Sequence, residues 1–179
     1  HECSHDHGHH NNSFFNWSMG WAASSIFVTS YTLIQINHDG HHVRNRTRPE
    51  LVDYILPDES PAKKIITYYV GILGGLWLMT CLGGLLLPFL PYKLVVKLAF
   101  DKENNTYTKA FDDFTPKDFW RMRLELLMTI ILWTVVLIVL QWQWQNVLLF
   151  YACFAFSFSS LQWVYHVRTP IHVTEGAYN

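Results

Sequence analysis

Apolar residues in this chain gather into four runs separated by polar stretches, and the character of each run predicts a different element. Phe14 to Ile36 is mostly apolar but carries Asn16, Ser18, Ser24, Ser25, Thr29, Ser30, Thr32 and Gln35, which suits a buried or interfacial helix better than a lipid-exposed span. Ile65 to Leu90 is long enough to cross a bilayer of about 30 Å. It is notched by Gly71, Gly74, Gly75, Gly83 and Gly84, and stopped by Pro88 and Pro91. Leu124 to Leu140 holds one ionisable residue, Glu125 at its edge, and Val147 to Leu161 holds none. The uncharged link Gln141 to Asn146 carries Trp142 and Trp144, side chains that suit a membrane interface. The last two runs therefore predict a transmembrane hairpin.

The polar stretches set the organisation around these runs. Residues 1–13 read as the end of a helix entering from upstream, and His38 to Lys64 as an aqueous-side connector broken by Pro49, Pro57 and Pro61. Lys63 and Lys64 precede the glycine-notched run while Lys93 and Lys97 follow it. The positive-inside tendency then places both its ends on the cytoplasmic side and makes it a re-entrant or in-plane hairpin. Thr115 and Pro116 have the form of an N-cap followed by proline at the first helical position. The expected architecture is all-α integral membrane: a transmembrane helical hairpin plus interfacial or re-entrant helices and a cytoplasmic histidine-box region. It reads as one partial domain over 1–179. Residues 1–64 carry both histidine clusters and the intervening helix; 65–98 form the re-entrant hairpin, 99–123 a cytoplasmic loop, and 124–163 the transmembrane hairpin. Residues 164–179 start a C-terminal cytoplasmic region, so that His166 returns to the face of the histidine clusters. Because the chain opens on His1 and closes at Asn179 without a closing pattern, it reads as a fragment of a longer protein.

Composition agrees with a membrane setting, with 50% of residues hydrophobic and 16% aromatic. A net charge of −1 lacks the basic surplus of a nucleic-acid binder. Cys3, Cys81 and Cys153 make neither a disulfide framework nor a zinc ribbon.

What composition does not explain is the histidine distribution: eight of the ten lie in the first 42 residues. His1 and His5 have an HxxxH spacing, and His38, His41 and His42 an HxxHH spacing. Neutral imidazole is the commonest protein metal ligand, and side chains four apart on a helix share a face. Two such clusters invite a binuclear centre. Three readings compete for them. His1-Glu2-Cys3-Ser4-His5 matches the HExxH of zinc metallopeptidases, but the third histidine of the longer motif would fall at Asn11, and protease chemistry has no use for His38, His41 and His42. A metal transporter needs ionisable ligands inside its spans, where the strong runs have almost none. The third reading is a solvated, histidine-biased loop with no tight metal site, which independent scatter would rarely arrange as HxxxH and HxxHH around a single hydrophobic run.

The order HxxxH, about thirty residues, HxxHH and then apolar spans resembles the membrane fatty acid desaturase family. Arg46-Thr47-Arg48-Pro49-Glu50, Tyr54-Ile55-Leu56-Pro57-Asp58, Gln162 to His166 and Glu175 to Asn179 extend the likeness along essentially the whole chain. The resemblance implies an oxidoreductase that introduces a C=C bond into a fatty acyl chain, using two non-haem iron ions, O2 and electrons from a ferredoxin or cytochrome b5 type donor. Related lipid, carotenoid and alkane hydroxylases and ketolases have similar boxes. The family's third histidine box and the hairpin before the first box do not occur in this sequence, so the chain is expected to be inactive alone.

Carried over by motif, the implied metal ligands are His1, His5, His38, His41 and His42, with His166 added through its QxxxH relation to Gln162. Glu2, Asp6 and Asp39 are placed to accept hydrogen bonds from ligating imidazoles. The helices at 14–36 and 65–90 are expected walls of an acyl groove, with Phe14, Trp17, Trp21 and Trp77 as lining. Arg44, Arg46, Arg48, Lys63 and Lys64 would meet anionic headgroups, a carrier phosphate or the electron donor.

Overall fold

The computed structural model describes residues 2–9, 11–44, 55–95 and 114–164, and all regular structure among them is helical. Asn12 opens α1 (Ser13–Ser25) by accepting a hydrogen bond from the Phe15 amide at 3.1 Å. The helix does not continue to Ile36. Ser24 and Ser25 turn their hydroxyls back onto the carbonyls of Trp21 (3.0 Å) and Ala22 (2.7 Å), competing with the helical ladder. The chain then turns through Val28, whose φ of 56° lies in the left-handed region, an unusual conformation for a β-branched residue. Ser30 accepts from the Leu33 amide at 3.2 Å, and α2 (Tyr31–Arg44) begins. The polar connector expected from His38 therefore starts later, because α2 runs helically through the whole second histidine box. The opening expected to close a helix is instead a set of turns over Glu2–Asp6, with Asp6 at φ 56°.

The glycine-notched run forms α3 (Pro61–Val70) and α4 (Leu76–Leu86), joined by a π-helical turn at Gly71–Gly75 and followed by a 3-10 turn at Leu87–Phe89. The stretch expected to be a re-entrant or in-plane hairpin runs as two helices joined at a bend. The bend falls at Leu73 and Gly74, where Gly74 adopts φ 119°, a value glycine reaches at no steric cost. Leaving the ladder frees backbone groups, and an apolar setting demands that they find partners. Ser159 accepts from the Trp77 amide at 3.1 Å and the Ser160 hydroxyl donates to the Ile72 carbonyl at 3.0 Å. Both serines lie on α6 (Trp144–Val164), which packs across the bend.

Thr115 and Pro116 open α5 (Pro116–Leu140) as the spacing predicts. The Asp118 carboxylate accepts from the Thr115 amide at 2.8 Å and from its hydroxyl at 2.7 Å. Gln141, at φ 49°, closes the helix before α6. Pro61–Phe89 and Pro116–Leu140 are both long and apolar enough to cross a membrane. Along α5 the residues Leu124, Leu127, Ile130, Ile131, Ile138 and Val139 are exposed while Met122, Glu125, Leu126 and Thr129 are buried. The core at the N-terminal end of α5 gathers Leu33, Leu87, Val95, Phe114, Phe119 and Met122. Arg123 ties α5 to the end of the preceding segment by donating to the Pro88 carbonyl at 2.6 Å.

The corner between α1 and α2 is wedged between α4 and α5. The Trp133 indole on α5 donates to the Ser25 carbonyl at 2.8 Å, capping α1 from outside. On the other side Gly84 meets Thr29 so closely that a Cβ there would overlap the threonine hydroxyl and reach 3.1 Å from its Cα. Gly83, one position on, has open space around a Cβ. Replacing Gly84 with alanine should therefore destabilise the protein by about 1–3 kcal/mol through overpacking. Gly83→Ala should be neutral or stabilising by up to about 1 kcal/mol, since alanine is the better helix former. Thermal unfolding midpoints of the two variants in detergent check the contrast.

Candidate metal centre

His38 and His42 lie four apart on α2 and project from one face. His5 reaches the same point from the turn ahead of α1. Its Nε2 lies 3.1 Å from that of His38, which in turn lies 3.1 Å from that of His42. One ligand nitrogen from each of the three falls within 4.8 Å of the others. Metal–imidazole bonds of about 2.0–2.1 Å put neighbouring ligand nitrogens roughly 3.0–3.4 Å apart in octahedral or tetrahedral geometry. Two of the three spacings meet that requirement at 3.1 Å and the third lies within 4.8 Å, a set of three imidazoles of a kind that suits a bound ion.

The turn carrying His5 is not helical, so its position is set by side chains of α1 and α2. The Cys3 carbonyl accepts from Asn16 Nδ2 at 2.9 Å and from the Tyr31 hydroxyl. The same Asn16 amide donates to Asp6 Oδ1 at 3.0 Å, and its oxygen accepts from the His9 amide at 3.3 Å. Gln35 donates to the Ser4 carbonyl at 3.3 Å. Asn16 is only 2% exposed, so its end of these bonds is shielded from competing water. Burial, with the nearby Cys3 and Asp6, pushes the Tyr31 hydroxyl up to about 12 and keeps it a donor.

The electrostatics favour the neutral imidazole at His38 and His42. Burial, then the neighbouring His42 and His5, lowers His38 from 6.5 to about 4. His42 is lowered by burial and then by His5 and His41. Asp39 Oδ1 stands 4.0 Å from His5 Nδ1, on the side of the ring away from the trio, where a carboxylate orients a ligating imidazole.

Of the expected ligands, the structure brings together His5, His38 and His42. His41 is on α2 with its ring centroid 6.0 Å from that of His42, outside the converging trio. His1 and His166 lie outside the described residues, as do Arg46 and Arg48. Because residues 2–6 form turns, the helical frame on which an HExxH zinc site depends is not built around Glu2 and His5. Asp6, expected beside an imidazole, instead receives Asn16. Lys64 pairs with Glu59 at 3.1 Å. Trp17 and Trp21, expected to line an acyl groove, turn their indoles to Glu125 of α5 at 2.7 Å (its carboxylate) and 3.2 Å (its carbonyl). Trp77 stacks on Tyr151 with centroids 5.3 Å apart, whereas Phe14 is exposed. Sequence reasoning did not assign site roles to Asn16, Tyr31, Gln35 or Glu125. Three of the four are polar residues interrupting an apolar run, which was the available signal.

In the metal-free protein the depressed His38 value has a definite consequence for stability. Between about 4 and 6.5 the unfolded chain binds more protons at this position than the folded one, so stability rises with pH through that window. It is fully present above 6.5 and lost as pH falls toward 4. A pH series of denaturation midpoints on metal-stripped protein should show this slope, and His38→Ala should flatten it.

A family-model comparison matches fatty acid desaturase over residues 1–179. Searches of curated proteins and of solved structures returned no match. Histidines of two separated boxes that converge on one point, with only helices as regular structure among the described residues and two stretches able to cross a membrane, agree with that match: the chain belongs to the fatty acid desaturase family.

Proposed function

We propose that this chain forms the metal-binding and membrane-embedded part of a fatty acyl desaturase that takes two non-haem iron ions. The observation that carries the reading is the meeting of His5, from the first box, with His38 and His42, from the second. A zinc peptidase or a solvated histidine-rich loop has no need of that convergence. His41 supports a second ion: adjacent residues on a helix diverge by about 100°, so it serves a direction different from that of His42. His1 and His166 remain proposed ligands by motif.

Bound iron would supply what no side chain can, the reduction of O2 to an oxidant able to take hydrogen from an unactivated C–H bond. The chain's own residues prepare for it. Burial holds His38 and His42 neutral, so the ion need not displace protons at neutral pH. The Asn16, Tyr31 and Gln35 contacts fix the His5 turn before any ion arrives. In the overall reaction two hydrogens leave adjacent acyl carbons and O2 is reduced to water with two electrons and two protons from solution. The electrons come from a ferredoxin or cytochrome b5 type donor docking on the aqueous face that holds the histidines, which we assign to the cytoplasmic side. The lipid chain reaches the site from the membrane-spanning helices.

His5→Ala, His38→Ala and His42→Ala, each in the full-length protein, should lower bound iron and abolish unsaturated product while leaving helix content intact. Iron per chain by elemental analysis, together with lipid profiles of expressing cells, tests this. Wild-type iron content and product yield in all three variants, or a single zinc in place of iron, would overturn the proposal.

A further inference from the structure

Glu125 is a carboxylate 1% exposed on α5, and the metal chemistry above makes no use of it. Its Oε2 accepts from the Thr32 amide at 2.8 Å, while its Oε1 accepts from the Thr32 hydroxyl at 2.9 Å and from the Trp17 indole at 2.7 Å. The Thr32 amide belongs to the first turn of α2, where helical N–H groups lack intrahelical partners. Glu125 therefore caps α2 from another helix, and a negative charge there also suits the helix dipole. The same carboxylate grips α1 through Trp17, the neighbour of the Asn16 that holds the His5 turn.

Both arms of the histidine trio are thus referred to one side chain. Thr32 precedes His38 by six residues, about 9 Å along the axis, so a shift of the first turn carries directly to the ligand positions. We propose that Glu125 is a positioning residue for the metal centre, setting the register of α2 against α1 so that His38 and His42 meet His5. This inference rests on the metal-centre reading above.

The bonding pattern supplies a test that separates positioning from general stability. All three partners donate to the carboxylate. Glutamine in its place has one accepting oxygen, so its NH2 must face either the Thr32 amide or the Trp17 indole, donor against donor. Removing the indole N–H with Trp17→Phe ends the conflict. The amide oxygen then accepts from the Thr32 amide and its NH2 donates to the Thr32 hydroxyl.

Cobalt(II), whose ligand-field bands report coordination geometry, is titrated into the full-length, metal-stripped protein in detergent. Glu125→Gln should keep its helical circular dichroism but bind cobalt about tenfold more weakly, as losses of outer supporting contacts do, with shifted bands. Trp17→Phe combined with Glu125→Gln should recover both toward wild type. A Glu125→Gln protein with unaltered affinity and bands overturns the inference, as does a defect that Trp17→Phe leaves in place. Should Glu125→Gln fail to fold, Thr32→Val, which removes only the hydroxyl donor, carries the test. A band shift supports the inference and an unchanged spectrum overturns it. Wild-type protein that binds no cobalt through His5, His38 and His42 would overturn the metal centre and this inference together. Normal wild-type binding with an unaffected Glu125→Gln removes this inference alone.

Discussion

Backbone that leaves the helical ladder inside an apolar protein must find new hydrogen-bond partners, because neither lipid nor a packed core supplies them. This chain leaves the ladder twice within its apolar runs, at Ile26–Ser30 and at Leu73–Gly74. Each break is met by side chains from a later helix. At the first, Trp133 and Glu125 of α5 bond the Ser25 carbonyl and the Thr32 amide. At the second, Ser159 and Ser160 of α6 bond the Trp77 amide and the Ile72 carbonyl. The hydrogen bonds that repair the breaks are also the ones that fix how α5 and α6 sit on the rest of the molecule. Buried bonds of this kind contribute only about 0.5–1.5 kcal/mol each, but leaving a group unpaired costs more, so the pairing selects the arrangement.

The first break is what makes the site possible. An unbroken helix from Ser13 to Arg44 would hold its two ends more than 40 Å apart at a rise of about 1.5 Å per residue. The His5 turn and the second box would then never meet. Folding the run at Ser25–Ser30 lays α1 beside α2, so that Asn16 and Tyr31 can both reach the Cys3 carbonyl. The serines and threonines that make the run a poor lipid-facing span are the ones that line its turn, with Thr29 and Ser30 fully buried.

Local chemistry was legible in the sequence and distant pairing was not. Thr115 and Pro116 announce the start of α5 because an N-cap residue and a proline at the first helical position are local signals, and Asp118 completes the cap in the structure. The i, i+4 relation of His38 and His42 predicts their common face for the same reason. The HxxxH spacing of the first box suggests a helix equally well, yet that segment is turned, because its geometry is set by Asn16, Tyr31 and Gln35 rather than by its own residues. Glu125 reads as the charged edge of a span. Its burial depends on Trp17 and Thr32, about a hundred positions earlier in the chain, and no local pattern carries that information. Trp17 and Trp21 carry an apolar face that composition reveals, but not the indole N–H bonds that both make to Glu125.

Dividing the work between near and distant residues has a chemical consequence. The imidazoles proposed to hold metal are best kept out of water if they are to stay neutral, and His38 is lowered to about 4 chiefly by burial. Burial in turn demands that every polar group around the imidazoles be paired, since a half-satisfied network in a low-dielectric setting is costly. The bonds from Asn16, Tyr31 and Gln35 pair the backbone carbonyls of Cys3 and Ser4 in the first box. The buried carboxylate of Glu125 on α5 meets α2 at its opposite end, at Thr32. There its charge is met by three donors, and it acts on the histidines through the rigidity of the helix rather than through its field.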